Sequence, residues 1–194
     1  MIKFKSVFHR FSALCLCFLV PVLAPTRSAA QVFKTKKGHA QVFSNSTLEN
    51  FTGKSDYLVG QIDLADSTVD FYLDLSTLHT GVELRDEHMQ EEFLETNKYP
   101  FAQFSGKLVS PFNPSSNDTQ QVKVEGTFKL HGVSHKITVS GRMAEVDHHL
   151  FVQAHWKLQL PDYNMKIPQV LFMKVSKTQK LAIKATLDEK GKKS

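Results

Sequence analysis

Residues Gly81–Phe104 read GVELRDEHMQEEFLETNKYPFAQF. This stretch interrupts a β pattern with a short charged helix and then restores it. Before it, Val69, Phe71, Leu73 and Leu75 alternate with Asp70, Tyr72 and Asp74, which describes a strand with one apolar face. Within it, the pattern predicts a helix over Asp86–Glu95. Asp86 is a good N-cap, Glu87 adds negative charge to the first turn, and Met89 and Phe93, spaced i, i+4, turn inward. After it, Lys98-Tyr99-Pro100 opens another alternating run. One short helix between two strands suits a plug or lid at the end of a barrel.

The rest of the chain alternates in the same way. Strands are expected at Gly38–Ser44, Tyr57–Leu64, Thr68–Leu75, Phe101–Val109, Val122–Leu130, Lys136–Met143, Leu150–Leu160 and Lys180–Asp188. His131–Ser134 and Val146–His149 read as hairpin connections, and Ser110–Gln120 as a longer polar loop. About eight serial strands with one apolar face can pack as a sandwich or close as a barrel, and eight close around a space wide enough for side chains or one small ligand. Asp162–Ser176 is too apolar for a solvated loop. It either packs over a barrel mouth, helping to form a cavity, or fills core. The fold class expected is therefore all-β, an eight-stranded antiparallel barrel with one short helix.

Residues 1–30 have the layout of a secretory signal peptide. Lys3, Lys5 and Arg10 precede an apolar run, Phe11–Val22, and Ser28-Ala29-Ala30 offers a small-residue cleavage site. The alternative of a membrane anchor suffers from the shortness of that run and from Pro21, since a span needs about 20 apolar residues. A lipoprotein signal is the weaker alternative, because Leu precedes both Cys15 and Cys17. Both cysteines fall in this segment, so residues 31–194 would form one barrel domain without disulfides, periplasmic or secreted after cleavage near Ala30. Cleavage removes four of the 24 basic residues and none of the 19 acidic ones, leaving a net charge of +1. With no basic stripe interleaved with aromatics, nucleic acid is not an expected partner. An outer-membrane barrel would turn its apolar faces outward. Here Trp156 and Phe128 sit mid-strand, and the chain ends on Asp188-Glu189-Lys190-Gly191-Lys192-Lys193-Ser194, which favours apolar-in and no membrane span.

Catalytic signals are weak. No cysteine remains beyond residue 30, no G-x-S-x-G elbow occurs, and Ser134-His135 adjacency is not a triad. His131, His135 and the His148-His149 pair read as exposed turn histidines sooner than zinc ligands. His88 either bonds backbone at the helix start, the reading preferred, or faces a cavity mouth. Arg85 has two readings. It ties the helix to the barrel, which is favoured, or it holds a ligand headgroup bidentately.

The stretch resembles the signature of the YceI-like family through Thr80-Gly81, Arg85-Asp86, His88-Met89, Phe93, Lys98-Tyr99-Pro100 and Phe104. Phe51–Gly53 and the run from Gly126 through Leu130-His131-Gly132-Val133 extend the similarity over most of residues 31–194. The resemblance implies a lipocalin-like barrel that binds a polyisoprenoid, isoprenoid quinone or similar long amphiphile in a periplasmic compartment, without catalysis. Asp162–Pro168 departs from the family's Asp-Phe-Gly-type segment, which leaves the ligand's identity and length open. A long tail needs a dry apolar tunnel, each buried CH₂ contributing roughly 0.8 kcal/mol. The ligand-binding residues expected are Phe71, Leu73, Phe104, Phe128, Val152, Trp156, Phe172 and Ile183 on the walls, with Phe93 from the helix and Arg85 for a headgroup. No catalytic residue, metal or cofactor is expected. The partner is a long-chain isoprenoid or acyl lipid, with a homodimer left open. The competing expectation is a structural or protein-interaction module whose barrel is filled by side chains and holds no ligand.

Overall fold

The computed structural model describes residues 31–45, 50–165, 169–170 and 173–191. The signal-peptide reading of residues 1–30 and the expected wall residue Phe172 lie outside the described residues.

Eight strands close into an antiparallel barrel. They are β1 (Val32–Ser44), β2 (Phe51–Asp63), β3 (Thr68–Asp74), β4 (Phe101–Leu108), β5 (Gln120–Leu130), β6 (Val133–Val146), β7 (His149–Gln159) and β10 (Thr178–Glu189). The ring order is β1-β10-β7-β6-β5-β4-β3-β2, with β1 and β2 paired to complete it. Two two-residue strands, β8 (Gln169–Val170) and β9 (Met173–Lys174), pair separately between β7 and β10. The sole α-helix among the described residues, α1 (Glu83–His88), lies between β3 and β4.

Alternation dictates which side faces in. On β5, Val122, Val124, Phe128 and Leu130 are buried while Lys123, Glu125, Thr127 and Lys129 are exposed. The outward face is thus charged, the reverse of a lipid-embedded barrel. No helix among the described residues is long and apolar enough to cross a membrane. Tight two-residue turns join β5–β6 at His131-Gly132 (φ +49° and +77°) and β6–β7 at Asp147-His148 (φ +50° and +66°). Both residues of each turn are left-handed, the geometry whose twist matches antiparallel strands.

Two strands begin well before their expected starts. β1 starts at Val32, not Gly38, because its register shifts between Lys34 and His39 against β10 and around Gly38 against β2. Such a bulge breaks the period on which a strand is read. β2 starts at Phe51, where small inward residues, Gly53 and Ser55, carry no apolar signal. The helix is also displaced. It runs Glu83–His88 and continues as a single π-helical turn over Met89–Phe93. Its N-cap is Val82, and Asp86, expected as the cap, lies inside the helix. There its carboxylate accepts from Thr80 N (2.7 Å) and Thr80 Oγ1 (2.5 Å), so it braces the chain before the helix instead of starting it.

The two ends of the barrel differ. Phe33, Ile62, Met143, Leu150 and Leu187 are the largest fully buried side chains. All five lie at the end formed by the start of β1, the end of β2, and the β6–β7 and β10 termini, and they plug it. At the opposite end stand α1, the His131-Gly132 turn and the segment after β7. Between the ends, β4 and β5 approach closely at the facing pair Gly106 and Gly126. A Cβ on Gly126 would fall 2.5 Å from Ser105 O and 2.8 Å from the Phe104 ring, so only glycine fits there without displacing its neighbours.

Candidate binding cavity

Above the plug the barrel is hollow. A cavity of about 800 Å³ runs from the plug to the α1 end. That lies within the 300–1,000 Å³ range of small-molecule sites. Several inward-facing residues, among them Ala102, Phe104, Ala154, Trp156, Leu181 and Ile183, are only partly buried because their surface borders this space.

Nine of the ten ligand residues expected from the sequence line the cavity. Phe71 and Leu73 come from β3, Phe104 from β4, Phe128 from β5, Val152 and Trp156 from β7, and Ile183 from β10. Phe128 makes edge contacts with Trp156 and with buried Tyr163, each at 5.8 Å between ring centres. Phe93, with Met89, reaches in from the π-helical turn. Arg85 stands at the rim. Its Nε donates to Thr80 Oγ1 (2.9 Å) and its guanidinium lies 4.7 Å from the centre of the Phe51 ring. Those contacts tie α1 to β2, the brace reading of this side chain.

His88 faces the cavity mouth and is exposed, in place of the backbone-bonding role preferred from the sequence. Cavity residues that the sequence reading left out of the expected ligand set include Leu58, Val69, Val124, Val139 and Leu158, all on the same strand phase as the ones it named. Ser44 and Gln179 also border the cavity. Gln179 fell outside the expected last strand, and Ser44 carries no apolar signal.

The rim is held by the Asp86 carboxylate. Burial raises its pKa, but the two Thr80 hydrogen bonds, the neighbouring His79 and the Gly81 amide outweigh burial and hold it below the ordinary aspartate value. His79 Nδ1 lies 3.5 Å from Asp86 Oδ2, and its backbone pairs with Lys54 of β2. A contiguous path therefore runs from β2 through His79 and Asp86 to Thr80 and Arg85.

The histidines do not converge. His131, expected as an exposed turn residue, is largely buried. Its Nε2 lies 2.6 Å from Glu95 Oε2, and its ring packs 4.3 Å from that of Tyr99. His135 Nε2 lies 2.8 Å from Asp162 O, while His148 and His149 face Glu189 and Asp188. Among the described residues, no three His, Cys, Asp or Glu side chains group so as to hold a metal ion.

Two polar atoms in the cavity wall stand out. Trp156 Nε1 and Ser44 Oγ are buried and have no hydrogen-bond partner among the described residues.

The architecture is shared with known proteins. The barrel superposes on a polyisoprenoid binding domain from Saccharophagus degradans implicated in plant cell wall breakdown, with a TM-score of 0.67 at 17% identity, over 83% of this chain and 99% of that one. It matches BcnA of Burkholderia cenocepacia with a TM-score of 0.61 at 13% identity, over 76% and 95% of the two chains. The Campylobacter jejuni YceI protein matches at 0.53 and 18% identity, over 98% and 93%. At these identities the likeness is one of fold. In sequence, a UPF0312 protein of Vibrio parahaemolyticus is 29% identical over 147 residues, 70% of this chain and 71% of the relative. The YceI-like domain pattern matches residues 26–187, and the chain therefore belongs to the YceI-like domain family.

Proposed function

We propose that this chain is an exported, non-catalytic carrier that holds a long-chain amphipathic lipid inside its barrel, a polyisoprenoid, an isoprenoid quinone or a lipid of similar form. The observation that carries the reading is the cavity itself, about 800 Å³, walled by strand faces of Phe, Leu, Val and Ile and closed at one end by a packed plug. Such a space excludes water from an apolar chain, and each methylene moved into it contributes roughly 0.8 kcal/mol. The polyisoprenoid binding named for the Saccharophagus degradans domain, which shares this fold, supports the ligand class. The charged residues bordering the cavity, Arg85, His88 and Glu92, belong to α1 and the turn after it, so the tail would lie in the barrel and the mouth would open at α1.

The competing reading, a barrel filled by its own side chains, requires no such space. Extraction of lipid from the purified protein, followed by titration with an isoprenoid quinone and a polyprenyl phosphate under native mass spectrometry, tests the proposal. One bound lipid per chain is expected. Protein that carries no lipid and binds neither compound would overturn it.

A further inference from the structure

We propose that Ser44, Gln179 and Trp156 form a hydrogen-bonding station on one wall of the cavity, built for an uncharged oxygen of the ligand, a hydroxyl or a carbonyl. The inference rests on the carrier reading and narrows its ligand class.

The three residues occupy three consecutive strands of the ring, β1, β10 and β7. Trp156 pairs with Leu181, which pairs with Val42. Gln179 lies two residues along β10 from Leu181, opposite Leu158, and Ser44 lies two residues along β1 from Val42. With strands about 4.8 Å apart, the three side chains enter the cavity from one patch of wall near its α1 end. All three border the cavity.

Much of their polar capacity is unspent. Ser44 is 3% exposed, and its Oγ has no partner among the described residues. Trp156 Nε1 is likewise buried and unpartnered among those residues. Gln179 is 4% exposed, and its Nε2 donates to Ser176 O (2.6 Å), which fixes the amide and leaves its oxygen as acceptor. A buried donor without an acceptor is costly and rare in folded proteins. Two of them in one apolar wall, beside an amide oxygen, match an oxygen that both accepts and donates. An indole N–H and a serine hydroxyl can donate to a carbonyl or hydroxyl, and Gln179 can accept from a hydroxyl.

None of Ser44, Gln179 and Trp156 carries a charge, so the three supply nothing that would balance a phosphate. The charged cavity residues Arg85, His88 and Glu92 belong to α1 and the turn after it. Arg85 reaches over Phe51, the β2 partner of Ser44, but its Nε donates to Thr80 Oγ1 at the rim.

The test uses three ligands of one skeleton, phytol, phytane and phytyl phosphate, measured by competition against a fluorescent lipid probe. The unmodified protein should bind phytol about tenfold more tightly than phytane. Ser44→Ala and Trp156→Phe should each cut that phytol-to-phytane ratio by about three- to tenfold, the worth of one hydrogen bond. If Trp156→Phe fails to fold by circular dichroism, Ser44→Ala decides alone. A ratio near one in the unmodified protein, or a ratio that neither variant changes, would overturn the station while leaving the carrier intact. So would phytyl phosphate binding more tightly than phytol and independently of Ser44. If none of the three binds, the carrier reading falls and the station with it.

Discussion

Ala154 offers a direct way to separate a hollow barrel from a solid one. It lies mid-strand on β7, between Gly141 of β6 and Ile183 of β10, and borders the cavity above the plug. Ala154→Phe would push a ring into the space a ligand tail would occupy. If the ring displaces three or four methylenes of the tail, binding weakens by about 2.4–3.2 kcal/mol at roughly 0.8 kcal/mol each, or some 50- to 200-fold. Fold stability should hardly change, since the ring enters an existing void and gains contacts there. In a filled barrel the same substitution would be overpacking, costing typically 1–3 kcal/mol of stability. Urea denaturation read by far-UV circular dichroism gives the stability arm, and titration with an isoprenoid quinone gives the binding arm. A variant that loses more than about 1 kcal/mol of stability, or binds the quinone like the unmodified protein, refutes the reasoning.

Other outcomes follow from the same geometry. Leu187→Ala in the plug, where the side chain is fully buried and away from the cavity, should cost about 2–5 kcal/mol, whereas Ile183→Ala, which already borders the cavity, should cost less by thermal denaturation. Asp86→Asn should destabilise by about 1–3 kcal/mol through loss of the charged acceptor for Thr80. Its pH dependence has a definite sign. The folded pKa of Asp86 is held below the unfolded value near 3.9, so its contribution is complete above that value and is lost as pH falls through the lower, folded one. The asparagine variant should lack that part of the acid limb, and a curve parallel to the unmodified protein's down to pH 2 would contradict the bracing role. Gly132→Ala should destabilise by at least about 1–2 kcal/mol in thermal melts, because position 132 has φ +77° and a Cβ there would lie 2.8 Å from the Tyr99 ring.

How much of this was legible in the sequence depends on the range of the physics involved. β3, β5 and β7 were readable because a half-buried strand must alternate, and each keeps its alternation unbroken. β1 was cut short because its bulge puts Lys34, Thr35, Lys36 and Lys37 where a period should be. The wall residues Phe71, Leu73, Phe128 and Val152 follow from phase alone. Whether that phase encloses a void does not, since it depends on the largest buried side chains gathering at one end, a feature of three-dimensional register. Asp86 was misread because a local capping rule cannot see that Thr80, six residues back, needs an acceptor. His131 was misread because its partner, Glu95, is 36 residues away. Ser44 and Gln179 were invisible for a related reason. A lone polar residue at a strand end carries no pattern, and only closure of the ring turns both toward the cavity.

The chain's single tryptophan, Trp156, makes the central claim measurable without any substitution, because it lies in the cavity wall. Titrating the purified protein with a long-chain lipid carrying a doxyl or bromine quencher along its tail reads contact between that tail and the indole. A tail inside the barrel predicts saturable quenching of Trp156 at one lipid per chain, reversed by an unlabelled isoprenoid quinone. Binding of the labelled lipid with Trp156 emission unchanged would place the tail outside the barrel and contradict the account.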